Sequence, residues 1–168
     1  VAVPEEHETL QDGLDFVANA YGTRAMSVIN AKLHRSWLNL ETRPGKPVKV
    51  TIVNRYPGVR GLELDSGWYN TQIVLNNPED EVVLGGFRIK TDWYGADAIT
   101  VRGGSLVVLD SDIQGLGKFV NAVGAKLIHF DRVNFIGPMR GSYITTIGVY
   151  AENMPLYGDV TGLRIFNC

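Results

Sequence analysis

The chain has 168 residues, of which 45% are apolar, so it is long enough to bury a sizeable core within one domain. Its formal net charge is −2, and its 16 lysine and arginine residues are scattered, which argues against a nucleic-acid-binding face. No apolar run approaches the ~20 residues of a membrane span. The single cysteine, Cys168, can form neither an internal disulfide nor a metal cluster with other cysteines.

The first element in chain order is a helix, which we predict between Thr9 and Tyr21. Thr9 is suited to be its N-cap, because a threonine hydroxyl can accept a hydrogen bond from the first turn. Gly22 is suited to end the helix. Apolar residues recur at intervals of three and four, which places them on one helical face. They are Leu10, Leu14, Val17, Ala18 and Tyr21.

Short strands are predicted from residue 48 onward. Residues 25–47 have mixed periodicity and end in a turn-rich stretch. Residues 48–53 then alternate between apolar and polar and are rich in β-branched side chains, which favours a strand. Shorter segments of the same kind predict strands at 62–65, 72–75 and 82–84, separated by turn-forming residues.

The second half of the chain repeats with a period near twenty residues. An offset of 21 residues superposes five positions of one phrase on the next. The superposed pairs are Gly103 with Gly124, Leu106 with Leu127, Val107 with Ile128, Leu109 with Phe130 and Asp110 with Asp131. A fixed period of this length, with short strands and turn glycines, is typical of a solenoid of stacked coils. The sequence therefore predicts an all-β fold, a right-handed parallel β-helix.

Two other architectures fit parts of this pattern. Leucine-rich repeats have a similar period, but their Leu-x-x-Leu-x-Leu frame and their helical half are missing from this sequence. An antiparallel sandwich explains the short strands and the turns, but it does not explain the repeated Gly…Leu…Asp phrase. The sandwich is therefore the alternative to the β-helix.

Several segments of the sequence resemble phage tailspike and tail-fibre proteins, which contain right-handed parallel β-helices of the pectin-lyase-like fold. Residues 9–19, followed by the strand at 48–53, resemble the opening of such domains, where an amphipathic helix covers the N-terminal end of the β-helix. Residues 124–135 resemble the recurrent coil of the family. The resemblance extends from Glu8 to about Gly137.

The resemblance implies two segments: a cap helix with an entry segment in residues 1–47, and β-helix coils in residues 48–168. The last coil is expected to be cut off at the C-terminal end. An open β-helix end exposes apolar core and unpaired backbone groups, so a covering helix has a physical purpose. The covering residues would be Leu10, Leu14, Val17 and Tyr21.

The resemblance also implies a function. Such proteins assemble as homotrimers, contact other virion proteins, lie on the virion surface, and attach to the host by binding bacterial surface polysaccharide. Many also cleave that polysaccharide, so a depolymerase, either a hydrolase or a lyase, is the alternative function. A non-phage enzyme similar to pectate lyase, with calcium held by clustered acids, is a further alternative. We expect no cofactor, no nucleic acid and no membrane insertion.

Aromatic residues next to acidic ones are candidates for binding sugars, because flat rings stack on sugar faces and carboxylates accept hydroxyl hydrogen bonds. They are Trp68, Tyr69, Asp92, Trp93 and Tyr94. The competing interpretation is that these aromatic residues lie in turns or at an interface between copies, where tryptophan and tyrosine are enriched.

Three carboxylates are candidates for catalysis. Asp110 and Asp112 alternate across one residue, so on a strand they would share a face. Asp131 would lie one coil away from Asp110, at the ~4.8 Å spacing of neighbouring strands. Paired carboxylates at such distances are what glycoside hydrolysis needs. The competing interpretation is ordinary turn chemistry, because aspartate commonly follows a strand.

Overall fold

The computed structural model describes residues 2–3, 6–20, 24–28, 35–37, 40–54, 63–65, 73–91, 99–115, 118–136, 148–152, 156–157, 160–161 and 163–166. They form one helix and 19 short strands. In chain order the elements are β1 Ala2–Val3, α1 Leu10–Asn19, β2 Arg24–Val28, β3 Arg35–Trp37, β4 Leu40–Glu41, β5 Lys49–Asn54, β6 Glu63–Asp65, β7 Ile73–Leu75, β8 Glu81–Gly85, β9 Arg88–Thr91, β10 Ile99–Val101, β11 Ser105–Leu109, β12 Asp112–Gly115, β13 Lys118–Val123, β14 Leu127–Asp131, β15 Asn134–Ile136, β16 Gly148–Glu152, β17 Leu156–Tyr157, β18 Val160–Thr161 and β19 Leu163–Phe166.

Three parallel sheets contain all but two of these strands. Sheet A has seven strands in the order β1-β2-β5-β8-β11-β14-β19. Sheet B has five strands in the order β15-β12-β9-β6-β3, and sheet C has five in the order β16-β13-β10-β7-β4. From β2 to β16, successive strands visit sheets A, B and C in turn, and each strand pairs in parallel with its counterpart three elements away. The remaining strands, β17 and β18, pair with each other in antiparallel fashion.

Helix α1 is capped at its N-terminus, and one of its polar side chains joins it to sheet C. The Thr9 hydroxyl accepts a hydrogen bond from the Asp12 N–H at 3.1 Å, so the predicted N-cap is confirmed. The Gln11 side-chain amide pairs with the backbone of Glu41 on the free edge of sheet C. It accepts from the Glu41 N–H at 2.9 Å and donates to the Glu41 carbonyl at 3.2 Å. This amide therefore satisfies backbone groups that an edge strand leaves unpaired.

Two of the four residues expected to cover the end of the sheets can be located. Leu14 and Val17 are buried, and both belong to the core cluster that also contains the strand residues. The side chain of Leu10 and the whole of Tyr21 lie outside the described residues. The predicted helix end at Gly22 lies outside them as well.

The core lies between the three sheets, and in β5, β8, β11 and β14 of sheet A alternate residues are buried in it. In sheet A the inward residues align in two rows across β5, β8, β11 and β14. Buried residues of sheets B and C face them. The two rows of sheet A are Val50, Val82, Leu106 and Ile128, and Ile52, Leu84, Val108 and Phe130. Apolar side chains packed in register exclude water from the core along these four strands.

The predicted fold class is wrong. The sequence predicted an all-β right-handed parallel β-helix with an N-terminal amphipathic capping helix, whereas the described residues form three parallel sheets together with one short helix. That helix contributes Leu14 and Val17 to the same core as the strands, so helix and strands form one body. Apolar periodicity indicates which residues of an element face a core, but it does not indicate which elements share that core. Strands on both sides of residue 48 lie in the same sheets, since β2 pairs with β5, β3 with β6 and β4 with β7.

The repeat is real, but its predicted register is off by one residue in sheet A. The offset of 21 holds in sheet C, where Ile99 pairs with Val120. In sheet A the offset is 22, so Leu106 pairs with Ile128 rather than with Leu127. The extra residue lies between Ala122 and Leu127, the partners of Val101 and Ser105. A shift of one residue exchanges the two faces of a strand, and Leu127 accordingly lies half-buried on the outer face while Ile128 is buried.

Candidate functional site

The three carboxylates suggested for catalysis lie at the corner where sheet A passes into sheet B. In this corner β11 is followed by Asp110 and β12 begins at Asp112, while β14 ends at Asp131. Asp110 directly follows β11 and Arg132 directly follows the neighbouring strand β14, so the two residues occupy equivalent turn positions. Both have left-handed backbones, with φ of 47° and 53°. After β8, the strand on the other side of β11, the equivalent turn position is Gly86, with φ of 81°. The turn therefore demands a left-handed residue, a conformation that costs least for glycine.

Backbone hydrogen bonds fix the corner from row to row. The Asp110 N–H donates to the Asp131 carbonyl at 3.1 Å, and the Gly86 N–H donates to the Leu109 carbonyl at 3.2 Å. One step further along the chain, the Asp112 N–H donates to the Phe87 carbonyl at 2.8 Å. Because these contacts satisfy the backbone of the turn, the side chains of the corner are held in a defined geometry.

Arg132 joins Asp110 and Asp131 on the exposed side of the corner. Its Nε lies 2.6 Å from Asp110 Oδ1 and its Nη2 lies 3.0 Å from Asp110 Oδ2. Its Nη1 lies 2.5 Å from Asp131 Oδ2. The hydrogen bonds that Arg132 donates to Asp110, together with the charges of Asp110 and Asp131, raise the pKa of Arg132 above its ordinary value. Arg132 therefore stays charged and occupies both oxygens of Asp110.

Asp112 lies on the other side of the turn, and only 3% of its surface is exposed. Its Oδ1 accepts a hydrogen bond from Asn134 Nδ2 at 2.8 Å, and its Oδ2 lies 3.5 Å from Arg88 Nη2. Arg88, Asp112 and Asn134 stand at one register position on β9, β12 and β15. The same row continues through Glu63 and Arg35 on β6 and β3. Polar residue types thus follow one line across sheet B.

The predicted relation between the three carboxylates is therefore only partly correct. Asp110 and Asp131 do come together, through Arg132. Asp110 and Asp112 do not share a face of a strand, because Asp110 lies exposed in the turn and Asp112 is buried. Asp131 pairs in register with Leu109 rather than with Asp110. These carboxylates are held by arginine or amide groups, an arrangement that organises the corner and resembles a structural ion-pair network.

A second polar cluster lies at the corner where sheet C passes into sheet A, and the sequence analysis treated it only as a turn. Asp80 is fully buried, and the hydrogen bonds that its carboxylate accepts, including two from the Asn77 side-chain amide at 3.3 Å, all come from neutral donors. The Thr42 hydroxyl donates at 2.6 Å, the Val48 N–H at 2.9 Å and the Asn77 N–H at 3.0 Å. The turn composition of residues 76–80 was a visible signal, but the distant partner Thr42 was not. The cluster fixes the corner and is closed to solvent.

The aromatic residues suggested for sugar binding lie outside the described residues. They are Trp68, Tyr69, Asp92, Trp93 and Tyr94. The strands that border them are described: residues 66–72 connect β6 to β7, and residues 92–98 connect β9 to β10. Since β6 pairs with β9 and β7 pairs with β10, the two connections begin at neighbouring strands and end at neighbouring strands.

Two further observations concern metals and membranes. Among the described residues, no group of three or more histidine, cysteine, aspartate or glutamate side chains could hold a metal ion. No helix within the described part of the chain is both long and apolar enough to span a bilayer. The carboxylates of the corner between sheets A and B instead contact arginines: Asp110 and Asp131 contact Arg132, and Asp112 contacts Arg88.

Comparison with known proteins gives no relative for the chain. No protein-family model matches it, and no curated protein or solved structure matches it.

Proposed function

We propose that the chain is a component of a phage fibre or tailspike that lies on the virion surface and attaches to the host by binding bacterial surface polysaccharide. The proposal has the sequence resemblance of residues 9–19, 48–53 and 124–135 as its starting point. Its proposed partners are two further copies of the chain in a homotrimer, other virion proteins and the polysaccharide.

The observation that carries the proposal is the pairing of the strands that border the aromatic connections. Residues 66–72 contain Trp68 and Tyr69, and residues 92–98 contain Trp93 and Tyr94. Both connections leave sheet B and enter sheet C at neighbouring strands, about 4.8 Å apart. A polymer of sugars offers repeated faces and hydroxyl groups, which suits aromatic residues that recur in successive rows.

The polar row on sheet B supports the same proposal. Arg88, Asp112 and Asn134 lie at the same register position on the neighbouring strands β9, β12 and β15. Both aromatic connections begin where strands of sheet B end, so the polar row lies in the sheet from which these connections leave. An elongated glycan that crosses these strands would meet the Arg88 guanidinium and the Asn134 amide on either side of the buried Asp112.

Attachment is favoured over cleavage by the contacts of the carboxylates. Both oxygens of Asp110 are occupied by Arg132, and Asp112 is buried between Arg88 and Asn134. A general acid or base must reach the substrate within hydrogen-bonding distance. A buried and already bonded carboxylate would first have to give up these contacts.

The test is binding of capsular and O-antigen polysaccharides by isothermal titration calorimetry, with dextran as the unrelated glycan. Trp68→Ala and Trp93→Ala should each weaken binding at least tenfold. Phe16→Ala is the matched control, because Phe16 is an aromatic residue on α1 with 51% of its surface exposed. Equal binding by all of these variants would refute the role of the two connections, and binding to none of the polysaccharides would refute the function.

A further inference from the structure

Two half-exposed arginines, Arg88 and Arg132, differ in how fully their guanidinium groups are used. Their side chains are 41% and 52% exposed. Arg132 donates through all three of its nitrogens to Asp110 and Asp131, at 3.0 Å or less. Within the described ranges Arg88 has one partner, Asp112, whose Oδ2 lies 3.5 Å from Nη2. A charge-assisted hydrogen bond between a guanidinium and a carboxylate is about 2.7–2.9 Å long, so the contact of Arg88 is a loose one.

Arg88 also has donors that the described part of the chain does not use. Its Nε is shielded from solvent, and no described group accepts a hydrogen bond from it. Asp112 does not form a bidentate pair with Arg88, because its other carboxylate oxygen accepts from Asn134 Nδ2 at 2.8 Å. A guanidinium presents five N–H donors in a planar fork that matches a carboxylate. The charge of Arg88 is therefore paired more weakly than that of Arg132.

The position of Arg88 relates it to one of the aromatic connections. Ile89 is fully buried in the core, so the alternation of a strand places Arg88 on the outer face of sheet B. Strand β9 begins at Arg88 and ends at Thr91, about 10 Å further along, where the connection at 92–98 begins. A glycan that extends from this connection back along β9 would reach the guanidinium.

We infer that Arg88 binds a carboxylate of the polysaccharide, so that the glycan recognised is an acidic one that contains a uronic acid or another carboxylated sugar. The inference rests on the proposed function and names the class of glycan. A carboxylate accepts two parallel N–H bonds from a guanidinium, and its charge compensates for the water that Arg88 loses on binding. Sugar hydroxyl groups are neutral acceptors, and hydrogen bonds to them are weaker than those to an ionised group.

The experiment compares two forms of one polysaccharide on the purified full chain. The first form is the polysaccharide that the chain binds most tightly among the capsular and O-antigen polysaccharides. In the second form, carbodiimide and borohydride have reduced its carboxylates to primary alcohols, which removes the charge and keeps the polymer backbone. Isothermal titration calorimetry should show at least about tenfold weaker binding of the reduced form. Tightest binding to a polysaccharide without carboxylates, or equal binding of both forms, would overturn the inference and leave the proposed function standing.

Variants test whether Arg88 is the residue responsible. Arg88→Gln should weaken binding of the acidic form at least about tenfold and change binding of the reduced form by less than about twofold. Arg132→Gln is the matched control, because Asp110 and Asp131 already occupy this half-exposed arginine, and it should bind both forms as the unmodified chain does. Arg88→Lys keeps the charge but not the fork, and should bind the acidic form with intermediate affinity.

The outcomes separate the role of Arg88 from the proposed function. If Arg88→Gln loses its native far-ultraviolet circular dichroism, Arg88→Lys and the reduced polysaccharide still test the inference. A folded Arg88→Gln variant that binds the acidic form as tightly as the unmodified chain would limit Arg88 to its contact with Asp112 in sheet B and would overturn the inference. An unmodified chain that binds none of the polysaccharides would reject the proposed function, and the inference with it.

Discussion

A methyl group added at Gly104 should destabilise the protein far more than one added at Gly45. Both glycines have positive φ, 71° and 75°, so alanine at either position costs about 1 kcal/mol for the left-handed backbone. At Gly45 nothing lies within 4 Å of the added carbon. At Gly104 the added carbon would lie 2.8 Å from the Asn77 carbonyl oxygen, and it would come even closer to that of Asp80.

The neighbours of Gly104 cannot move away easily. The Asp80 carbonyl accepts a hydrogen bond from the Ser105 N–H at 2.7 Å, and the Asp80 carboxylate is bonded to Thr42 and Val48. Overpacking of a well-packed interior costs about 1–3 kcal/mol, and more where the backbone must shift. We therefore expect Gly104→Ala to reduce the free energy of unfolding by about 2–5 kcal/mol and Gly45→Ala by about 1 kcal/mol.

Urea denaturation followed by circular dichroism measures both variants against the unmodified chain. The two variants share the backbone penalty, so the difference between their midpoints reports the contact with the Asp80 turn. Losses of equal size at Gly104 and Gly45 would show that the rows do not stack closely at this corner, and the argument from row-to-row packing would fail.

Three further predictions concern the core, the buried carboxylate and the exposed ion pairs. Leu14→Asp buries an unpaired charge in the core and should lower the free energy of unfolding by at least about 3 kcal/mol. Phe16→Asp, on the exposed side of α1, should change the free energy of unfolding by less than about 1 kcal/mol. Similar melting temperatures for the two variants would contradict the orientation of the helix. Asp112→Ala removes the partner of Asn134 and should cost about 1–3 kcal/mol in urea denaturation, and an unchanged midpoint would show that the pair contributes nothing. Arg132→Met should reduce the dependence of the melting temperature on salt, because its ion pairs are exposed and screened by ions; an unchanged salt dependence would contradict that contribution.

The sequence was sufficient for the local elements with strong patterns. The spacing of Leu14 and Val17 and the position of Thr9 predicted helix α1 and its N-cap, and both are confirmed. Alternation at 48–53 predicted β5, and the shorter segments at 72–75 and 82–84 predicted β7 and β8. Each of these signals depends on neighbouring residues, which a single sequence contains in full.

The register could not be obtained in the same way. Leu106 and Leu127 are identical residues at a constant offset, and this identity predicts that they pair. The pairing is decided by the number of residues between paired positions, since three residues separate Val101 from Ser105 whereas four separate their partners, Ala122 and Leu127. A turn that absorbs an extra residue leaves no signal in the apolar pattern of its strands. The fold class failed for a related reason, since apolar spacing predicts which face of α1 is buried but not how the helix and the three sheets combine into one fold.

The candidate site shows the same limit. The proximity of Asp110 and Asp131 was predicted from the repeat, but the residue that joins them, Arg132, was not. The separation of Asp112 was missed because the chain turns at Asp110, whose left-handed backbone breaks the alternation of a strand. Neither feature follows from charge or spacing. Both depend on the conformation of one turn residue.

The most direct test of the proposed function is incubation of the purified chain with bacterial surface polysaccharides, followed by measurement of both binding and glycan length. We expect saturable binding to at least one capsular or O-antigen polysaccharide, with the length distribution of the glycan unchanged. Shortening of a glycan would contradict attachment without cleavage and would make Asp110, Asp112 and Asp131 the first residues to replace. Binding to none of the polysaccharides would contradict the proposed function itself.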